Sequence, residues 1–184
     1  MYDIVFPKNN ELDFIKQANK LGYNKLVFIY TEKTYNSAPN VTKDSSKYVG
    51  EIVKGCLCEK KFVESDYSIT NSNRIGWLKQ DIKLMFDIEE NDHFMNQKDS
   101  GMNVAVAQQM NQYNCIYGIN FSRILLSKNR SDLLGSIIQN IMLSNKYKVK
   151  VAFASFAKSP LEMRNPEDLK AFGRMLGLDK AENL

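Results

Sequence analysis

The chain alternates short apolar runs with longer stretches whose apolar residues recur every three or four positions. Asp3–Phe6 is a brief apolar segment that stops at Pro7, and Asn9 or Asn10 is then placed to cap a helix. In that helix Leu12, Ile15, Ala18 and Leu21 fall on one stripe, and Gly22 ends it. Lys25–Tyr30 (KLVFIY) is an unbroken β-branched and aromatic run, the mark of a strand buried on both faces of a parallel sheet. The opening therefore reads as β-α-β.

Residues 31–46 are rich in Thr, Asn, Ser and Lys and read as an exposed loop. Further strands are predicted at Tyr48–Leu57, where Gly50 and Gly55 weaken the pattern, and at Ile82–Phe86, Cys115–Asn120 and Val149–Ser155. Arg74–Leu78 fits a short helix, and Gly101–Tyr113 a longer one through Val104, Ala107 and Met110. Ser131 is placed to cap a helix whose Leu133, Leu134, Ile137, Ile138, Ile141 and Met142 would lay one wide apolar stripe on a sheet, with Lys146 and Lys148 at its negative end. Asn165 caps a last helix, with Pro166 at N1, Glu167 and Asp168 in the first turn, Leu169, Phe172, Met175 and Leu176 buried, and Gly177 closing it.

Strands alternating with helices make this an α/β chain with mostly parallel strands, and about seven strands in 184 residues favour a compact barrel over an open, doubly wound sheet. No linker-like stretch divides residues 1–184, so a single domain is expected. No apolar run approaches the roughly 18 residues of a membrane span. The first residues, MYDIVFPKNNELDF, lack a basic stretch followed by an apolar one. A cytoplasmic protein without a membrane partner is the expectation.

Charge adds a second feature. Residues 1–114 hold fourteen Lys/Arg against fifteen Asp/Glu, whereas Arg123, Lys128, Arg130, Lys146, Lys148, Lys150, Lys158 and Arg164 face only Asp132 and Glu162 within 115–164. Such a local excess suits a phosphate backbone, whose condensed counterions are released on contact, although a solvated basic surface would read the same way. Lys158 and Arg164 flank the loop before the last helix, whose N-terminal N–H groups also suit phosphate; Glu162 is equally placed to pair with Arg164.

Catalytic frames are sparse. His93 is the only histidine and lies beside the acidic cluster Asp87, Glu89, Glu90 and Asp92, which reads as a solvated turn more readily than as a cation site. Cys56, Cys58 and Cys115 read as free thiols and apolar fillers. Neither a nucleophile elbow nor a phosphate-binding glycine loop is present. A carboxylate pair drawn from Asp3, Asp87 and Glu162 near strand ends stays open. The expectation is a chain with no catalytic residue, metal or bound cofactor of its own.

The C-terminal segment is more specific. AKSPLEMRNPEDL (157–169) followed by GRMLGL (173–178) resembles the signature of the archaeal ribonuclease P protein component 3 family. GMNVAVA (101–107), IYGINFSRIL (116–125) and NKYKVKV (145–151) are similar to that family's helix opening, next strand and turn into the final strand. The likeness covers about residues 100–180 and implies a TIM-like barrel of the polymerase-and-histidinol-phosphatase (PHP) type. It also implies a subunit that assists a catalytic RNA, which holds the Mg²⁺, in removing 5′ leaders from precursor tRNA. The partners implied are the ribonuclease P RNA, pre-tRNA, a small α/β protein subunit in a heterodimer or heterotetramer, and other ribonuclease P proteins. Arg123, Lys128, Arg130, Lys158, Arg164 and Arg174 are the candidate RNA contacts. Where metal-dependent barrels of this type carry histidine motifs after the first strand, this sequence reads DIVFP (3–7), which disfavours the alternative of a stand-alone PHP-type metal-dependent phosphoesterase. A protein–protein module without RNA contact is the third reading.

Overall fold

The computed structural model describes residues 2–39, 49–89 and 100–178. Seven parallel strands lie in sequence order, β1 (Tyr2–Val5), β2 (Lys25–Thr31), β3 (Glu51–Leu57), β4 (Tyr67–Thr70), β5 (Leu84–Phe86), β6 (Ile116–Asn120) and β7 (Val151–Ala154), each hydrogen-bonded to the next. Helices α1 (Glu11–Leu21), α2 (Ile75–Leu78), α3 (Val104–Gln112), α4 (Phe121–Leu126), α5 (Arg130–Tyr147) and α6 (Pro166–Met175) alternate with them. The sheet curls into a nearly closed, TIM-like barrel. Because side chains alternate across a strand, Ile4, Val27, Ile29, Ile69, Leu84, Phe86, Ala152 and Ala154 fill the interior, while Leu26, Phe28, Met85, Tyr117, Ile119 and Phe153 pack outward against the helices.

The seam between β1 and β7 is closed by a side chain as much as by backbone. Val5 bridges Ala157 in parallel, and the Phe6 N–H donates to the Ala157 carbonyl at 2.8 Å. One turn earlier the fully buried Asp3 carboxylate accepts the Ser155 N–H at 2.7 Å and its hydroxyl at 2.6 Å. Desolvation raises the Asp3 pKa to about 6, against the lowering effect of those bonds. Asp3 is thus a closure residue on the outer side of β1, bonded to Ser155, and it takes no part in the carboxylate pair that the sequence left open.

Gly55 explains the weak strand pattern around it. It occupies the barrel interior, where an added Cβ would lie 2.4 Å from the Tyr67 carbonyl and 2.6 Å from Ile29 Cδ1.

Several expectations shift in phase. In α1 the buried residues are Glu11, Phe14, Ile15 and Ala18, and Leu12 is 65% exposed, because the packed stripe is centred about 100° away from it. Asn10 stands at the N-cap of α1, but its side chain accepts the Lys8 N–H and no helix N–H. Helix α5 begins at Arg130 after Asn129, so Ser131 is inside it. Only one side of its apolar stripe is covered: Leu133, Ile137 and Ile141 are buried, together with Asn140 and Ser144, while Ile138 and Met142 face solvent. In α6, capped by the Asn165 side chain on the Glu167 N–H, Leu169 is buried and Met175 is exposed. Strand β4 and helix α4 had no counterpart in the sequence reading. Tyr48, Glu90, Asp92 and His93 lie outside the described residues.

Candidate functional site

In parallel barrels the groups that do chemistry stand at the C-terminal ends of the strands. There this chain has an open cleft of about 1220 Å³. Its floor is aromatic. Phe86 and Phe156 stack with centroids 4.8 Å apart, and Phe6 lies 6.3 Å from each. Two residues that follow strands into the cleft, Asp87 (φ 53°) and Phe156 (φ 51°), hold left-handed backbone, unusual for a bulky aromatic and sustained by the stacking around it.

The wall beyond β5 and β6 carries the polar groups. Arg123 on α4 places Nη1 3.2 Å from Glu89 Oε2 and 3.4 Å from Asp87 Oδ1. Asn120 at the end of β6 donates to Asp87 Oδ2 at 3.0 Å and, with its amide oxygen, caps α4 through the Arg123 N–H. The Tyr117 hydroxyl donates to Glu89 Oε1 in a short bond, and Asn140 from α5 donates to both Tyr117 and the Ser100 carbonyl. Burial dominates the Glu89 carboxyl and raises its pKa despite Tyr117 and Arg123. The same desolvation, reinforced by the Glu89 charge, holds the Tyr117 phenol far above its ordinary range.

A hydrolytic metal centre does not fit these residues. Both wall carboxylates are turned onto Arg123, Asn120 and Tyr117, the floor beneath them is phenylalanine, and among the described residues no three His, Cys, Asp or Glu side chains converge. The third nominated acid, Glu162, lines the cleft, but its carboxylate accepts the Lys158 and Ser159 N–H groups at 2.7 and 3.3 Å and completes a capping box with Ser159. The charges lining the cleft are mixed: Lys8, Arg123 and Lys158 face Glu59, Asp87, Glu89, Asp132 and Glu162.

The six nominated cations are scattered. Arg123 is part of the buried wall, with 19% of its side chain exposed. Arg130 donates Nε to the Ile124 carbonyl and Nη2 to that of Leu125, which ties the end of α4 to the start of α5. Arg164 Nη1 spans the carbonyls of Leu161, Glu162 and Met163, each at 3.1 Å, in place of the Glu162 ion pair, and its own carbonyl accepts the Tyr23 hydroxyl. Lys128, Lys158 and Arg174 are exposed, but only Lys158 lines the cleft. The three cysteines are free and buried. Among the described residues no helix is long and apolar enough to cross a membrane.

Comparison with known proteins gives the fold a lineage. The chain is 24% identical over 146 residues to Ribonuclease P protein component 3 of Methanocaldococcus jannaschii, an alignment covering 78% of this chain and 60% of that relative, so it spans about three fifths of the relative's length. The fold superposes with a TM-score of 0.73 on a chain of a cryo-EM structure of archaeal Ribonuclease P with mature tRNA, at 19% identity, covering 96% of this chain and 83% of that one. A more distant likeness, TM-score 0.52 at 6% identity, is to a crystal structure of an uncharacterised protein, covering 96% of this chain and 69% of that one. The model of the RNase P subunit p30 family matches residues 83–183, more than half of the sequence and including the 157–178 signature, and the chain belongs to that family.

Proposed function

We propose that this chain is a protein subunit of ribonuclease P that performs no bond-breaking step itself and assists the catalytic RNA in removing 5′ leaders from precursor tRNA. The observation that carries this reading is the wall of the cleft. Where a barrel hydrolase of this shape would present carboxylates to a metal, Asp87 and Glu89 are engaged internally, by ion pairs with Arg123 and hydrogen bonds from Asn120 and Tyr117. The relatives named above supply the RNA side of the argument.

In this reading Mg²⁺ resides with the RNA, and the chain works beside a small α/β subunit, as a heterodimer or heterotetramer, with further ribonuclease P proteins in the cytoplasm. Phosphate contact falls to the exposed Lys128, Lys158 and Arg174, with Arg130 and Arg164 contributing whatever of their guanidinium groups the local carbonyls leave open. Each phosphate neutralised steepens the fall of log affinity with log salt by about 0.9 on B-form duplex and about 0.7 on single strands. Reversing Lys128, Lys158 and Arg174 to Glu together tests the surface. Reconstituted leader removal should fall and its salt dependence flatten, with the circular dichroism spectrum unchanged. Indifference of the holoenzyme to all three reversals would remove the assignment, and phosphatase turnover by the isolated chain with Mn²⁺ or Zn²⁺ would replace it with the phosphoesterase reading.

A further inference from the structure

On the flank of the barrel, away from the cleft, a groove of about 550 Å³ lies between the β3–β4 connection and α2, lined by Lys60, Lys61, Phe62, Arg74, Gly76, Trp77 and Gln80. Its composition differs from that of the cleft in both respects that matter. It contains three cations and no carboxylate, and two aromatic rings form part of its surface. Phe62 and Trp77 are half-buried and packed against the core beneath α2 and α3, so each ring is fixed in place with part of its surface left to the groove. Lys60, Lys61 and Arg74 are exposed, and no ion pair engages them among the described residues.

The loop that presents the lysines is bound by a single carboxylate. The Glu32 carboxylate accepts the N–H groups of Glu59, Lys60 and Lys61 at 2.8, 2.7 and 3.0 Å, and those bonds, with the nearby Lys61 charge, hold its pKa below the usual carboxylate value. That turn sends Glu59 to the cleft and the two lysines to the groove. Gly76 forms part of the groove: a Cβ there would meet nothing within 4 Å.

From this arrangement we infer that the Lys60–Trp77 groove is a binding site for an unpaired nucleotide of single-stranded RNA, its base stacked on Trp77 and its flanking phosphates held by Lys60, Lys61 and Arg74. Anchored aromatic rings interleaved with cations are the usual platform for single strands, because every base offers a π-face while the backbone supplies the charge. An acidic peptide would use the same cations but leave the rings wet, and a duplex keeps its bases stacked within itself. The inference stands on the groove itself and is independent of the ribonuclease P reading, which adds only a source of such RNA.

Trp77 is the single tryptophan of the chain, so its emission reports directly on the site. The intact protein is titrated with a short labelled oligoadenylate while tryptophan emission and the anisotropy of the label are followed together. The expected result is quenching that saturates in step with anisotropy, and a log–log salt slope of about −2 for three cations on a single strand. Trp77→Ala should weaken binding about tenfold, as loss of one stacked base does. Gly76→Glu, which builds into open space, should weaken binding at least as much without altering thermal unfolding. The inference is overturned if anisotropy rises without quenching, if Gly76→Glu binds as well as the parent, or if polyglutamate or an RNA duplex competes as well as the single strand. Failure of the unmodified chain to stimulate leader removal would count against the ribonuclease P reading and leave this titration untouched.

Discussion

Substituting Asp3 by Asn should make the protein more stable at neutral pH. Asp3 is wholly buried at the β1–β7 seam, and its carboxyl pKa of about 6 stands about two units above the ordinary value of 3.8. The folded protein therefore holds this proton to higher pH than the unfolded chain. The contribution of Asp3 to stability is complete below about pH 4, is lost as pH rises towards 6, and above 6 the native state carries the cost of an ionised, desolvated carboxylate. At 1.36 kcal/mol per unit that cost is about 3 kcal/mol. Asn preserves the volume and the pattern: its amide oxygen accepts the Ser155 and Ile4 N–H groups, and its NH₂ donates to the Ser155 hydroxyl oxygen. Urea unfolding of both proteins by circular dichroism at pH 4.5, 6 and 7.5 measures the difference, in which every other titrating group cancels. The Asn variant should exceed the parent by about 1 kcal/mol at pH 4.5 and by up to about 3 kcal/mol at pH 7.5. A gap independent of pH, or a variant weaker than the parent at pH 7.5, would mean that the Ser155 bonds stabilise the ionised form and that the desolvation argument is wrong.

Three further outcomes follow from the packing. Gly55→Ala should cost about 1–3 kcal/mol in denaturant unfolding, since its methyl group would collide with the backbone of β4; a neutral substitution would show that the barrel interior has slack. Arg123→Ala should destabilise the chain by several kcal/mol, because it strips a cation from two carboxylates of which Glu89 is 4% exposed; a fully stable variant with weakened RNA affinity would instead restore Arg123 as a phosphate contact. Asn165→Ala should cost about 1 kcal/mol of thermal stability through loss of the α6 cap, and an unchanged midpoint would show that Pro166 alone sets that helix start.

Where the sequence reading succeeded, local chemistry and tertiary packing agreed. The β2 run is buried on both faces, Asn165 and Pro166 open α6, and Gly22 ends α1 in left-handed backbone at φ 79°. It failed where packing chose among equivalent patterns. Strand β4 is only Tyr67–Thr70 between polar flanks, too short for alternation to register. In α5 the apolar stripe is wider than the surface that covers it, and the core instead takes Asn140 and Ser144, polar side chains with partners in Tyr117, Ser100 and Met102. Charge in a sequence window reported the amount of basic character but not its use: Arg123, Arg130 and Arg164 spend guanidinium donors on the protein itself. The Lys60–Trp77 groove was illegible for the converse reason. Its cations come from a part of the chain with no net excess, and the turn bound by Glu32 brings Lys60 and Lys61 beside Trp77 and Arg74 of the α2 segment.

In the proposed function this chain serves an RNA catalyst and breaks no phosphodiester bond alone. A reconstituted ribonuclease P, assembled from the RNA and its partner proteins at moderate Mg²⁺ with and without this chain, tests it most directly through the rate of 5′-leader removal from precursor tRNA. Faster cleavage when the chain is added, and none by the chain in the absence of the RNA, is the result expected. Leader removal by the purified chain with no RNA subunit present, or a holoenzyme rate unaffected by its omission, would contradict it.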